Sequence, residues 1–121
     1  MIKPLVSIVV PSYNHSKFIK ETLLSILNQT YKNIELIVID DGSKDNSIEI
    51  ISKIKKEYDF HFLKRENRGL IYTLNEGLNL ANGKYFCVIA SDDIFELNKI
   101  DIQVDFMENN TKLALSYSKM K

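Results

Sequence analysis

Four short apolar runs, each followed by a stretch with apolar residues at helical spacing, set what this chain can fold into. Leu5 to Val10 is apolar and β-branched and stops at Pro11, as a buried strand does where a backbone donor is missing. Ile19, Leu23, Ile26 and Leu27 then recur at helical spacing, until the polar stretch Asn28 to Asn33 ends the helix. Ile34 to Ile39 repeats the strand pattern, and Ile48, Ile51, Ile54 and Tyr58 repeat the helical one from about Asp45. Phe60 to Leu63 is a weaker strand before a third helix marked by Ile71, Leu74, Leu78 and Ala81, which Asn82-Gly83 closes. Tyr85 to Ala90 predicts a fourth strand, Leu97, Ile100, Val104 and Met107 a fourth helix, and Leu113 to Tyr117 a last strand. Strands alternating with amphipathic helices call for a mainly parallel sheet with right-handed crossovers and helices on both faces, a three-layer α/β/α domain.

Ligands of such sheets bind beyond the carboxyl ends of the strands, so the residues that end the strands carry the functional signal. Three ends are polar: Pro11-Ser12-Tyr13-Asn14, Asp40-Asp41-Gly42-Ser43 and Ser91-Asp92-Asp93. All three should meet on one rim. Paired carboxylates such as Asp92-Asp93 tolerate each other when a divalent cation lies between them and an anionic ligand. Mg²⁺ commonly takes one or two carboxylates plus substrate phosphates. Neither a Gly-x-x-x-x-Gly-Lys phosphate loop nor a Gly-x-Gly-x-x-Gly turn follows the first strand, which leaves metal bridging as the route to a phosphate. Tyr13 offers a ring face to a nucleobase and Asp41 an acceptor for a base N–H. Structural alternatives stand beside each reading. Tyr13 also suits a half-buried rim aromatic, Asp40-Asp41-Gly42 a turn and helix cap, and Asp92-Asp93 a cap on the fourth helix. His15 and His61 read as solvated or core histidines, and Arg65 and Arg68 as a solvated charge run in preference to a pair that steers a diphosphate.

Composition narrows the partners. Sixteen basic residues balance sixteen acidic ones, which removes the positive field that nucleic-acid binding needs. A hydrophobic share of 45% and a charged share of 26% argue against disorder, and 121 residues suit one domain over 1-121. The one cysteine, Cys87, lies in an apolar run and forms neither an intramolecular disulfide nor a Cys-rich zinc site. The start has no signal-peptide pattern and no apolar run nears about 18 residues, so a cytoplasmic setting is expected, at the inner face of a membrane for a longer protein.

Taken in order, these segments resemble the amino-terminal half of family 2 glycosyltransferases of the GT-A fold, a Rossmann-like nucleotide-diphospho-sugar transferase architecture. Val6 through Asn14 resembles the family's opening strand, and Ser25-Ile26-Leu27-Asn28-Gln29-Thr30-Tyr31 the end of its first helix. Glu35 through Asp45 resembles its second strand and turn. Asn67, Gly69, Asn75 and Gly77 keep the spacing of two Asn-x-Gly elements, and Ala90-Ser91-Asp92-Asp93 falls where the Asp-x-Asp-type motif sits. The resemblance covers about Leu5 to Tyr117. It implies a nucleotide site of Pro11, Tyr13, Asn14, Asp41 and Asp92, with Mg²⁺ or Mn²⁺ held by Asp93 and Asp92. It also implies inverting transfer of a sugar from a nucleotide-sugar, UDP-linked by expectation, to a hydroxyl of a sugar or lipid-linked glycan in glycan or polysaccharide synthesis. Leu74 stands where the family often has arginine. The family's general base lies in a later region, so the resemblance implies a truncated domain that binds the donor with little or no transfer, its base beyond Lys121.

Two rivals remain open. A non-catalytic interaction module with this fold is compatible with the same pattern. A phosphoacceptor receiver domain requires an acidic pair after the first strand and an aspartate after the third, and this chain has Pro-Ser-Tyr-Asn and Lys64-Arg65 there. A dinucleotide-binding oxidoreductase lacks its glycine fingerprint. An exposed sheet edge is expected to favour self-association.

Overall fold

The computed structural model describes residues 3–109. Strands β1 (Val6–Ser12), β2 (Ile34–Asp41), β3 (His61–Arg65) and β4 (Tyr85–Val88) alternate with helices α1 (Ile19–Leu27), α2 (Ser47–Lys55), α3 (Leu70–Leu80) and α4 (Lys99–Asn109). The strands form one parallel sheet in the order β3-β2-β1-β4. The expected last strand, Leu113 to Tyr117, lies outside the described residues. No helix among those described is long and apolar enough to cross a membrane.

Side-chain alternation along the central strands sends alternate residues to opposite faces, as a pleated strand must. Ile8, Val10, Leu36, Val38 and Cys87 join Ile19, Leu23 and Ile26 of α1, Ile51 and Ile54 of α2, and Ile100, Val104 and Met107 of α4 in the larger core. Val9, Ile37 and Ile39 face the other way into a smaller cluster with Leu63, Ala81 and Phe86. Helix α3 packs on β1 and β2. Among the described residues, three helices therefore bury one face and a single helix approaches the other, which gives the expected three layers.

Several boundaries differ from the sequence expectation. β1 does not stop at Pro11: Pro11 pairs with Ile39 and Ser12 with Asp40. Val9 turns its carbonyl to β4, accepting from Ile89 N at 3.0 Å, and Pro11, two residues on, faces the same side. β4 pairs with β1 only as far as Val9, so proline's missing N–H interrupts no ladder bond. β2 likewise runs through Asp40 and Asp41, whose partners are Lys64 and Arg65 of β3. Leu97 precedes α4 instead of lying in it and is exposed. The expected inner stripe of α3 is corrected most: Ile71 is 75% and Leu78 54% exposed, while Thr73 and Gly77 are buried.

Candidate functional site

The carboxyl ends of β1, β2 and β4 open onto one cleft of about 410 Å³. Pro11, Ser12, Tyr13 and His15 line it from the end of β1, Asp41 from β2, Asn67, Gly69, Leu70 and Thr73 from the entry to α3, and Ala90 and Ser91 from beyond β4. A second depression of about 490 Å³ lies against Lys3, Pro4 and Tyr31, which precede the strands, and so sits away from this rim.

Polar bonds between the strand-end loops build the rim. Asp40 is fully buried; Ser12 Oγ donates to it at 3.2 Å, Ser43 N at 2.7 Å and Ser43 Oγ at 2.7 Å. Asn14 adopts φ 54°, its N–H donates to Ser43 Oγ at 2.8 Å, and its side-chain oxygen accepts from Lys44 N at 2.8 Å. Asp45 accepts from Ser16 N at 3.1 Å and from Ser47 N at 3.0 Å. Of the residues expected to bind nucleotide, Asn14 thus stitches the β1 and β2 loops together and does not line the cleft. Pro11, Tyr13 and Asp41 do line it, and Tyr13 is 44% exposed.

Asp41 is nearly buried and tightly held. Arg68 N donates to Oδ1 at 2.8 Å, Gly69 N to Oδ2 at 3.1 Å, and Arg65 Nη1 forms an ion pair with Oδ1. Burial alone would raise its pKa, but these hydrogen bonds and the Arg65 charge outweigh it and hold the carboxyl below its ordinary value. The group therefore faces the cleft ionised and able only to accept. Arg65 is not part of a solvated charge run: its side chain is 16% exposed and also meets Glu76 and Thr73. Arg68 is half exposed and, like Arg65, lies over the Tyr72 ring.

Asp92 and Asp93 follow directly on the cleft residues Ala90 and Ser91 and are exposed. Neither carboxylate has a hydrogen-bond or ion-pair partner among the described residues, apart from the Asp93 backbone N–H, which donates to Ala90 O at 3.1 Å. Among those residues no group of three or more His, Cys, Asp or Glu side chains is arranged to hold a metal. The pair fits a hard cation that shares its shell with ligand oxygens, since free carboxylate oxygens are the donors such an ion takes.

Sequence reasoning overlooked two contributors. His15, read as solvated or core, is half-buried, lines the cleft and shares a hydrogen bond with Ser91 Oγ. Helix α1 holds the segment that carries the acidic pair: Thr22 Oγ1 donates to Ser91 O at 3.0 Å, Ser25 Oγ accepts from Phe95 N at 3.1 Å, and Gln29 bonds Glu96 O and Ile100 N. A polar signal existed, because Thr22 and Ser25 interrupt the otherwise apolar face of α1 and Gln29 follows just beyond it, but it did not say which segment they bind.

Comparison with known proteins places this arrangement. The family described as Glycosyl transferase family 2 matches residues 7–119. An uncharacterized glycosyltransferase of Haemophilus influenzae is 44% identical over 112 residues, covering 91% of this chain and 45% of that protein. The Escherichia coli UDP-Glc:alpha-D-GlcNAc-diphosphoundecaprenol beta-1,3-glucosyltransferase WfaP is 40% identical over 114 residues, covering 94% and 45%. The crystal structure of S. aureus TarS 1-349 in complex with UDP aligns with a TM-score of 0.79 at 27% identity, covering 87% of this chain and 32% of that one. The chain spans less than half the length of each of these proteins. The parallel sheet with its flanking helices has the GT-A fold.

Proposed function

The chain belongs to glycosyl transferase family 2, and from that we propose that its strand-end cleft binds a nucleotide-sugar donor, with UDP the preferred nucleotide, for metal-dependent, inverting transfer to a hydroxyl acceptor. One observation carries the reading. An exposed aromatic ring, Tyr13, and an ionised acceptor, Asp41, line the same cleft as the residues that run into the unpartnered Asp92-Asp93 pair. A nucleoside diphosphate needs these three things: a surface for the base, an acceptor for a base N–H, and a cation site for the diphosphate. WfaP uses a UDP-sugar by its name, and the TarS complex contains UDP, which favours uracil here.

In this reading Tyr13 packs against the base and Asp41 accepts its N–H. Asp93, with Asp92 beside it, would hold Mg²⁺ or Mn²⁺, which would supply Lewis-acid stabilisation of the charge on a diphosphate. Pro11 shapes the floor, lining the cleft just past the point where β4 stops pairing with β1. The acceptor hydroxyl must lose a proton, and a general base for it is commonly worth about 10²–10⁴ in rate. None of the residues assigned here takes that proton, so donor binding is expected to be strong relative to transfer.

Titration calorimetry with UDP, with and without Mn²⁺, tests the assignment. Mn²⁺-dependent binding is expected, weakened about tenfold or more by Asp93→Asn, as for loss of a charged ligand to the cation. Equal Mn²⁺ dependence in the Asp92→Asn/Asp93→Asn double variant would remove the metal assignment. Absence of nucleotide binding under every metal condition would favour the non-catalytic module.

A further inference from the structure

Arg65 ends β3 with a side chain that reaches three other segments. Nε donates to Glu76 Oε1 at 2.8 Å and Nη2 to Thr73 Oγ1 at 2.7 Å, both on α3. Nη1 donates to Asp41 Oδ1, at the end of β2, and to the Glu66 carbonyl at 3.1 Å. Thr73 Oγ1 spends its own proton on Gly69 O at 3.0 Å, so toward Arg65 it acts as acceptor. The Tyr72 ring lies 4.8 Å from the guanidinium carbon. A planar fork with acceptors on Nε, Nη1 and Nη2 and an aromatic ring beside it has little freedom to turn.

That fixity passes to Asp41. An ionised carboxylate offers about four acceptor positions. Oδ1 takes two donors, Arg65 Nη1 and Arg68 N, and Oδ2 takes one, Gly69 N. The remaining position is on Oδ2, in a side chain that lines the cleft beside Tyr13 and Asn67. The other charged groups nearby are engaged elsewhere or turned outward. Glu76 is taken up by Arg65, Arg68 and Glu66 pair with each other at the surface, and Asp40 is occupied by Ser12 and Ser43.

We infer that Arg65 is a positioning residue for base recognition: by occupying Oδ1 it holds Asp41 with a single free acceptor on Oδ2, which makes the cleft select a base that presents a ring N–H. The inference rests on the proposed reading in which Asp41 faces the base. Without the guanidinium the carboxylate keeps two backbone donors but gains an open position on Oδ1, and a base without the N–H is then rejected less sharply. Uracil and guanine carry such an N–H, and methylation at N3 removes it from uracil.

The experiment compares UDP with N3-methyl-UDP by calorimetry, in Mn²⁺, for the wild-type chain and for Arg65→Met. The wild type is expected to prefer UDP about tenfold or more, the usual effect of one hydrogen bond to a charged acceptor. In Arg65→Met the preference is expected to fall to about threefold or less. A role confined to stability would weaken both ligands together and leave their ratio alone, so an unchanged ratio in a folded Arg65→Met chain overturns the inference. If Arg65→Met does not fold, Thr73→Val, which removes one acceptor and keeps the side-chain shape, is read the same way; its ratio should drop, and an unchanged ratio counts against. A wild type that binds both ligands equally also overturns it while nucleotide binding stands. A wild type that binds no UDP sinks the donor-site reading and this inference together.

Discussion

Gly77 is where α3 touches the sheet. A β-carbon there would lie 2.7 Å from Val9 Cγ1 and 2.8 Å from Cγ2, and Val9 is fully buried between β2 and β4. Replacing a helical glycine by alanine ordinarily gains about 1 kcal/mol of helix propensity. Overpacking a closed site costs about 1–3 kcal/mol, and a β-branched valine in a central strand has few rotamers with which to yield. The steric term wins, so Gly77→Ala is expected to destabilise the fold by about 1 kcal/mol in denaturant titration, and Val9→Ala in the same chain should recover part of the loss. A Gly77→Ala chain more stable than the wild type would contradict the close packing. At this scale the sequence was legible by spacing more than by cause. Gly77 stood out as half of an Asn-x-Gly element, but nothing local says that Val9 lies under it. Asn14 shows the reverse: the family resemblance implied a place in the nucleotide site, and the structure adds a loop role that no local pattern announces, with φ of 54° and bonds to Ser43 and Lys44.

Helix α1 keeps the simple amphipathic pattern and α3 departs from it, for a physical reason. Apolar residues at helical spacing predict a buried stripe, and in α1 they form one, with Ile19, Leu23 and Ile26 in the core. In α3 the same spacing misleads. The helix comes close enough to the sheet that only small residues, Thr73 and Gly77, fit inward, and Leu70, Ile71 and Leu78 are turned out. Periodicity records which residues are apolar and carries no information on how near the partner surface lies. The acidic strand ends were legible because turn-forming residues punctuate parallel sheets, yet Asp40 and Asp41 extend β2 because their partners come from segments far away in sequence, such as Ser12 and Arg65. Gln29 of the α1 exit is the element-scale test. It is fully buried, Nε2 donates to Ser25 O at 3.0 Å and to Glu96 O, and Oε1 accepts from Ile100 N at 3.0 Å. Gln29→Leu keeps the bulk and strands the Ile100 N–H of the segment after the acidic pair, while Glu96 O keeps only its bond from Lys99 N; a buried group left unpaired costs about 1–3 kcal/mol. The expected result is a lower denaturation midpoint with faster hydrogen exchange at the Ile100 amide; unchanged exchange there would show that the side chain does not hold the segment.

Across the whole molecule, ionisable groups at both ends of the sheet set the pH range over which the fold holds. At the cleft end, the Asp41 and Asp45 carboxyls are held below their ordinary values, Asp45 at about 2; in both, burial pushes upward and is outweighed, by Arg68, Arg65 and Gly69 for Asp41 and by Ser47 and Ser16 for Asp45. At the amino end of β2, Glu35 is also lowered, since the hydrogen bonds from Asn82 and Ser7 and the nearby His61 together exceed the effect of burial. The Tyr31 and Tyr85 phenols are raised, first by burial and then by the Glu108 carboxylate. A lowered carboxyl binds fewer protons folded than unfolded, so its contribution is complete above about pH 4, the ordinary carboxyl pKa, and disappears as pH falls through the folded value. A raised phenol works in the opposite direction: its contribution is complete below the ordinary value near 10 and is lost as pH rises past it. The denaturation midpoint should therefore be level between about pH 5 and 9 and fall on both sides, the acid fall continuing toward pH 2 as Asp45 protonates. Asp45→Asn separates that part. Above about pH 4 the variant should be less stable than the wild type by a constant margin, because the neutral amide keeps the shape and loses the charge that Ser16 N and Ser47 N favour. Below pH 4 the margin should narrow, and near pH 2, where the wild-type carboxyl is itself half protonated, most of it should be gone. A margin independent of pH from 7 down to 2 would mean that Asp45 acts through its shape alone.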